Sequence, residues 1–165
     1  MTAKPRYFDN EETLALRRTL GGYATGVAVV TARGSDGRLV GLTINSFASV
    51  SLYPPLVLWS LGLGSASLKT FEQCSHFAIN VLADDQLELS QRFSQPHADK
   101  FSDLDWKVGA GETALLPGCC AWLECRTEVR YPGGDHLIFI GCVENFDSEE
   151  KPPLIFHGGR YRQLR

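Results

Sequence analysis

The sequence predicts a mainly β protein, an antiparallel β-barrel with a few peripheral helices. Most apolar runs are short and rich in β-branched residues, as in strands. The segments between them carry Gly, Pro, Asp and Ser, which are typical of hairpin turns. Helical signals occur in only two or three short segments, so seven or eight strands dominate and favour a barrel. The 165 residues fit one domain, which we expect to contain a helix over residues 10–20 and a barrel from about residue 23 to residue 165.

Capping patterns place the helices. Asp9-Asn-Glu-Glu12 has the form of a capping box and predicts a helix over residues 10–20, ended by Gly21-Gly22. A short helix should begin at Ser65 or Ser67 and reach about Gln73. Asp85-Gln-Leu-Glu88 has the same form as the first box and predicts a third helix, to about Phe93.

Between the helices, strand-like runs alternate with turns. A strand over residues 23–32 precedes a Gly34–Gly37 turn, and we expect residues 40–55 to return as one strand that the Pro54-Pro55 pair ends. The polar segment over residues 94–105 is predicted to be a loop, and a loop of that length is often functional. The remaining predicted strands cover residues 56–61, 76–82, 119–131 and 136–146, with a closing hairpin over residues 152–164.

Composition excludes several classes of function. The formal net charge is −3 and there is no basic run, which argues against nucleic acid and against an anionic membrane surface. No apolar segment reaches membrane-spanning length and the N-terminus lacks an apolar signal core, so we expect a cytoplasmic protein. The odd number of cysteines, five, indicates reduced thiols. Cys119, Cys120 and Cys125 lack C-x-x-C spacing, so inert buried thiols are favoured over a zinc site.

The segment over residues 40–55 is chemically unusual. Strand-type apolar residues alternate there with uncharged polar ones, namely Thr43, Asn45, Ser46, Ser49 and Ser51. Small neutral donors on a stiff backbone suit a planar polar ligand. A β-strand with one polar face would show the same pattern, and the pattern alone does not separate the two.

Gly62-Leu-Gly-Ser-Ala-Ser67 follows a strand and precedes a helix, as the dinucleotide-binding fingerprint does. The third glycine of that fingerprint is replaced by Ser67, and the following helix is too short for a crossover, which disfavours a Rossmann site. A weaker hypothesis remains, in which the helix N-terminus with Ser65, Ser67 and Lys69 attracts a phosphate. The alternative is ordinary capping beside a solvated lysine.

Gly133-Gly-Asp-His136 combines turn glycines with an adjacent acid and histidine. Asp135 could set the protonation or the tautomer of His136, or the histidine could simply be an exposed turn residue. Another histidine, His97, lies in the long loop and could face a ligand or solvent. No G-x-S-x-G elbow is present, so a serine hydrolase is disfavoured.

Taken together, these motifs resemble the short-chain flavin reductases, the reductase components of two-component flavin-dependent monooxygenases. The resemblance begins at Thr25-Gly26-Val27 and is densest in Gly41-Leu-Thr-Ile-Asn-Ser-Phe-Ala-Ser-Val-Ser, followed by Pro54-Pro55. It continues through Ser60, Ser65–Lys69, Phe77-Ala-Ile-Asn-Val-Leu82, Phe93, Asp99-Lys-Phe101, Gly134-Asp-His136 and Arg160-Tyr161.

The resemblance implies an FMN-binding split β-barrel that works as a homodimer. It implies that Thr43, Asn45 and Ser46 contact the flavin ring and ribityl chain, and that Ser60, Ser67 and Lys69 lie toward the phosphate. His136 is implied to lie near the nicotinamide or the flavin edge and is our candidate catalytic residue. The other cofactor-binding residues implied by the resemblance are Thr25, Ile44, Phe47, Leu61, Ser65, Phe93, Asp135 and Arg160.

The activity implied is hydride transfer from NADH or NADPH to FMN or FAD, with reduced flavin passing to a transient partner oxygenase. The cofactors carry that chemistry, so the protein needs to stack and aim them, and no general acid or base is obligatory. Three alternatives remain at this point: a flavin-binding or sensing barrel without turnover, a related flavoprotein that reduces another acceptor, and a purely structural domain. The sequence does not separate FMN from FAD or NADH from NADPH, although Arg33, Arg38 or Arg92 could each recognise a 2′-phosphate.

Overall fold

The computed structural model describes residues 7–96 and 99–164 and confirms a mainly β fold. The predicted first helix has the bounds expected, and three α-helices and twelve strands are present among the described residues. The elements in chain order are α1 (Asn10–Leu20), β1 (Thr25–Gly26), β2 (Ala28–Arg33), β3 (Leu39–Ile44), β4 (Ala48–Leu52), β5 (Pro55–Gly62), α2 (Leu68–Gln73), β6 (His76–Val81), α3 (Leu87–Ser94), β7 (Lys107–Val108), a 3₁₀ turn (Ala110–Glu112), β8 (Ala114–Leu115), β9 (Ala121–Gly133), β10 (His136–Ser148), β11 (Ile155–His157) and β12 (Arg160–Arg162).

Seven strands form one antiparallel sheet in the order β3-β2-β6-β9-β10-β5-β4. The two edge strands, β3 and β4, are consecutive in the chain and are joined by residues 45–47 alone. Three residues span only about 10 Å, so the two edges must come together and the sheet must curl into a barrel that is split at this corner. A separate small sheet in the order β1-β11-β12 contains the predicted C-terminal hairpin.

The prediction that residues 40–55 form one strand is wrong. The chain leaves β3 after Ile44, turns through residues 45–47 and enters β4 at the opposite edge of the sheet. The corner is held by Ser46, whose hydroxyl accepts from the Ser60 N–H at 3.0 Å and donates to the Ser60 carbonyl at 3.2 Å. The sequence pattern could not show this contact, because β-propensity is high on both sides of the corner.

An aromatic cluster fills the barrel. Trp59 and Phe139, which are opposite each other on β5 and β10, stack with their ring centroids 4.4 Å apart. Phe71 of α2 meets the Trp59 ring edge-on, at 4.9 Å. Arg130 of β9 donates to the Phe71 carbonyl and to another carbonyl at the end of α2, which fixes this short helix against the sheet.

The two predicted capping boxes have different outcomes. The Asp9–Glu12 box is confirmed, with both reciprocal hydrogen bonds present. The second box, predicted over Asp85–Glu88, is wrong, because α3 begins at Leu87 without a side-chain cap. Gln86 instead ties this end of the helix to the rest of the fold by accepting from the Ala83 N–H and donating to the Pro117 carbonyl.

Asn80 holds the segment over residues 106–118 against the barrel. It is fully buried on β6, and its amide donates to the carbonyls of Val29 and Ala114 and accepts from the Leu116 N–H at 2.7 Å. One side chain therefore satisfies buried backbone groups on β2 and on a segment that otherwise forms only two-residue strands.

We expect Asn80→Ala to lower the free energy of unfolding by about 2–3 kcal/mol, because it leaves the buried Leu116 N–H without an acceptor. Urea unfolding measures the change. Asn145→Ala, an exposed asparagine on β10, is the matched control and should change stability by less than about 0.5 kcal/mol. Equal effects of the two substitutions would contradict this role for Asn80.

Candidate functional site

Residues 43–47, which the sequence singled out, form the corner of the split barrel. Ile44 is 6% exposed and belongs to the barrel core, while Asn45 is exposed on the other side of the chain. The Ser46 hydroxyl is hydrogen-bonded to the Ser60 backbone, and Phe47 packs against the core immediately before β4. Ile44 and Phe47 thus fix the corner, and the polar surface that remains for a ligand is Asn45 together with exposed backbone.

A small cavity of about 150 Å³ lies on one side of this corner. Thr43 and Asn45 form part of its wall, and Phe156 and Tyr161 of the C-terminal hairpin form another part. The Thr43 hydroxyl donates to the Ser90 carbonyl at 2.6 Å, so its only proton is engaged within the protein. Thr43 therefore presents backbone, methyl and oxygen lone pairs to a ligand, and not the hydroxyl hydrogen.

Thr25 lies beside the cavity wall, on β1, where it pairs with Phe156 of β11. Its hydroxyl oxygen is buried and has no hydrogen-bond partner among the residues that the structure describes. A buried polar atom of this kind is costly unless something else satisfies it. The orphan hydroxyl is consistent with a site that is completed by a polar group of a ligand.

On the other side of the corner, β5 leads into the turn that precedes α2. Ser65 donates its N–H to the Gly62 carbonyl at 3.0 Å, and its hydroxyl accepts from the Ser67 N–H at 3.3 Å. Ser67 is the N-cap residue of α2, but its side chain makes no capping hydrogen bond. Because α2 has only six residues, its dipole is small, and a phosphate at this end would depend mainly on the serine side chains and backbone.

Lys69 does not share that turn. Its side chain is exposed and lines a polar cavity of about 450 Å³ between α2 and the β2–β3 turn, together with Arg33 and Asp36. The predicted group of Ser65, Ser67 and Lys69 is therefore divided between two faces of the helix end.

His136 and Asp135 lie beside the turn between β5 and α2. His136 pairs with Gly62 across β10 and β5, and the Asp135 carbonyl accepts from the Leu63 N–H at 2.9 Å. The expected His–Asp pair is present, with the His136 Nδ1 and the Asp135 Oδ1 2.7 Å apart. This hydrogen bond lowers the pKa of Asp135, and because an ionised carboxylate only accepts, Nδ1 carries the hydrogen. The other ring nitrogen, Nε2, is left for a ligand.

Three residues that the resemblance implied as cofactor-binding do not line the cavity beside the corner. Phe93 is 1% exposed and packs edge-on against Phe101 beneath Gly41, so the structure gives its ring a packing role. Leu61 is buried in the barrel core. Arg160 is exposed at the tip of the β11–β12 hairpin, after the Gly158-Gly159 turn.

The long loop, predicted over residues 94–105, contains neither helix nor strand beyond Ser94 in its described part, and His97 lies outside the described residues. Lys100 anchors it by donating to the carbonyls of Gly41 and Phe93, and burial lowers the pKa of this lysine.

Several alternatives are removed by the geometry. Every strand pair among the described residues is antiparallel, so β5 and α2 are not part of a parallel dinucleotide-binding unit. The described residues contain no group of three or more metal-ligating side chains. Burial raises the pKa of Cys119 and of Cys125 to about 12, as expected for inert thiols. Within the part of the chain that the structure describes, no helix has the length and apolarity needed to cross a bilayer.

The sequence interpretation missed Ser90, Phe156 and the wall position of Tyr161. Ser90 lies within a helix and carries no motif. The two aromatic residues face each other across the Gly158-Gly159 turn, so the predicted hairpin could have paired them, but not placed them against Thr43.

The fold and the site together define a split β-barrel with an uncharged polar corner beside a small cavity. A comparison with known families agrees: the flavin reductase like domain matches residues 20–165. The chain belongs to this family.

The chain is similar to curated and solved members of the family. It is 43% identical over 151 residues to the FMN reductase (NADH) of Agrobacterium fabrum, covering 92% of this chain and 86% of that protein. It is 43% identical over 146 residues to the reductase component of the flavin-dependent trigonelline monooxygenase of Acinetobacter baylyi, covering 88% of this chain but only 47% of that protein. Among solved structures, it matches the NADH:FAD oxidoreductase of Streptomyces globisporus in complex with NAD and FAD fragments, with a TM-score of 0.89 and 36% identity over 98% of both chains.

Proposed function

We propose that this chain is an NAD(P)H:flavin oxidoreductase that reduces FMN or FAD and supplies reduced flavin to a partner oxygenase. The observation that carries the proposal is the uncharged polar corner over residues 43–47, clamped by Ser60, in a chain of the flavin reductase like family. The family match over residues 20–165 also supports the predicted single domain. The five cysteines are unpaired in the structure, which supports the expected cytoplasmic location.

The residues present fit a flavin. The cavity beside Thr43 and Asn45 is of a size that holds one six-membered ring, and Thr25 offers an unsatisfied hydroxyl beside it. Asn45 and the corner backbone would hold the polar edge of the ring system, and the turn with Ser65 and Ser67 would receive the phosphate. Bound flavin supplies the hydride acceptor, and the nicotinamide supplies the hydride.

The protein's own contribution to the reaction is orientation. Asp135 holds the His136 ring through Nδ1, so Nε2 has a fixed direction beside Gly62, where it could hydrogen-bond a nicotinamide. This arrangement favours a reductase over a barrel that only stores or senses flavin, because storage needs no second site. A reductase of another acceptor remains the second candidate.

We propose NADH as the preferred donor. The three arginines that could recognise a 2′-phosphate are each engaged within the chain: Arg33 with the Gly37 carbonyl, Arg38 with Asp36, and Arg92 with Ser102. These contacts leave fewer guanidinium N–H groups for a 2′-phosphate. The names of the Agrobacterium and Streptomyces relatives, which specify NADH, support the same preference.

The purified protein should oxidise NADH only when FMN or FAD is added. A steady-state assay that crosses both flavins with both nicotinamides measures the rate and the two preferences. A rate no higher than that of free flavin with NADH would contradict the reductase proposal. In the same assay, His136→Asn should raise the KM for NADH or lower kcat and leave the flavin KM within about twofold; a large loss of flavin affinity instead would place His136 at the flavin.

Replacing Ser65 and Ser67 together by Ala should weaken FMN about tenfold and riboflavin less than about twofold, because only FMN carries a phosphate for these donors. Fluorescence titration of the two ligands measures the ratio. Lys69→Ala, which lies on the other face of the helix end, is the control and should leave this ratio nearly unchanged. Equal weakening of FMN and riboflavin would remove the phosphate assignment.

We propose further that the protein is a homodimer formed through the apolar face of β4, β5 and β10. A groove of about 340 Å³ on this face is lined largely by apolar side chains, and Leu52 and Phe146 beside it are 92% and 82% exposed. Helix α1 has a complete capping box at its N-terminus. None of its residues is buried against the rest of the chain. Apolar surface of this kind on a folded chain is typical of an interface.

Sedimentation velocity at micromolar concentration should therefore show about twice the monomer mass. Introducing charge with Phe146→Asp and Leu52→Asp should shift the protein toward monomer, whereas Val108→Asp, at an exposed apolar residue on β7, should not. A wild-type protein that sediments as a monomer would contradict the dimer.

A further inference from the structure

Ser90 of α3 is a polar residue with no exposed surface, and it bonds to two other elements of the fold. Its carbonyl accepts from the Thr43 hydroxyl of β3 at 2.6 Å. Its own hydroxyl lies 2.9 Å from the Tyr161 hydroxyl of β12. A single helical residue therefore joins the end of β3 to the C-terminal hairpin.

The two partners of Ser90 are both walls of one cavity. Thr43 and Tyr161 line the same space of about 150 Å³, which Asn45 and Phe156 also border. A cavity of this volume has room for a benzene-sized ring. The Tyr161 ring meets Phe156 edge-on at 5.4 Å, so the hairpin side of the cavity presents an aromatic surface.

The hairpin that carries Tyr161 is short, and its two aromatic side chains pack against a buried cluster that includes Val27 and Leu154. Its strands β11 and β12 contain three residues each, and β12 is an edge strand. A hairpin this short is marginal without further packing. The Tyr161–Ser90 hydrogen bond sets where the ring stands relative to Thr43.

We propose that Tyr161 is a further flavin-contacting residue of this site and that Ser90 is the positioning residue that holds Tyr161 and Thr43 at the separation of one flavin ring. The inference rests on the proposed flavin-binding function and adds to it a wall supplied by the C-terminal hairpin. It also explains why a hydroxyl is buried at position 90, since among the described residues the hydrogen bonds of Ser90 to other strands run to the two cavity walls.

The test compares Tyr161→Phe, Ser90→Ala and the double variant with the wild type. Each single variant removes one member of the same hydrogen bond, so we expect the flavin Kd and flavin KM to rise about fivefold to tenfold in each. The flavin Kd of the double variant should be no higher than the higher of the two single-variant values, because either substitution alone already removes the hydrogen bond. The kcat at saturating flavin and the KM for NADH should change less than about twofold.

Thr31→Val is the matched control. Thr31 is also fully buried, and its hydroxyl also makes one internal hydrogen bond, to the Ala114 carbonyl at 2.7 Å, but it borders no part of the cavity. It should lower the melting temperature about as much as Tyr161→Phe and leave the flavin Kd unchanged. Should Ser90→Ala fail to fold, Tyr161→Phe and Thr31→Val still form a complete comparison.

Unchanged flavin Kd and KM in Tyr161→Phe, with a melting temperature lowered as in Thr31→Val, would show a structural role only and overturn the inference. Because Kd is measured by titration without NADH, this failure is separable from that of the proposed function. A wild type that binds flavin but does not oxidise NADH, with a weaker Kd in Tyr161→Phe, would overturn the reductase proposal and support the inference.

Discussion

The arrangement of the site depends on the pair of hydrogen bonds between the Ser46 hydroxyl and the Ser60 backbone. The three-residue connection over residues 45–47 brings the two edges of the seven-stranded sheet together, and these bonds join that corner to β5. Two hydrogen bonds contribute only about 2 kcal/mol, which does not hold a barrel closed by itself. They are important because they fix the orientation of the corner, and so determine which of its residues faces the core and which faces solvent. Ile44 enters the core as a consequence, and Asn45 is left on the surface.

Buried hydroxyls and amides position other parts of the fold around this corner. Asn80 fixes the segment over residues 106–118, and Ser90 connects β3 with the C-terminal hairpin. Neutral groups with satisfied hydrogen bonds avoid the desolvation cost of buried ions. A site built from them keeps little fixed charge near a ring system that changes charge when it is reduced. In the proposed flavin site, stabilisation of the reduced ring would then be left to backbone donors and to the Asn45 amide.

Much of the fold could be predicted because local signals are strong. The Asp9–Glu12 box, the β-branched runs and the Gly158-Gly159 turn each specify their own element, and all three are confirmed. The Asp85–Glu88 segment also has Asp followed three residues later by Glu, but it does not form a capping box. Gln86 instead hydrogen-bonds to Ala83 and Pro117. The division of residues 40–55 into two strands could not be predicted, since it depends on Ser60, fourteen residues beyond Ser46.

Site residues follow the same rule. The sequence analysis could name Asn45, Ser65 and His136 as candidate site residues because they lie in or beside turns and corners, where side chains face outward. Phe93 has the residue type of a ring-stacking contact, but its burial beneath Gly41 depends on the fold of the loop around Lys100. Tyr161 presents the opposite case, since an exposed-looking position in a short terminal hairpin becomes a cavity wall through one hydroxyl on a distant helix. The resemblance to the flavin reductases therefore predicted the kind of ligand, whereas the tertiary hydrogen bonds determine which side chains line the cavity.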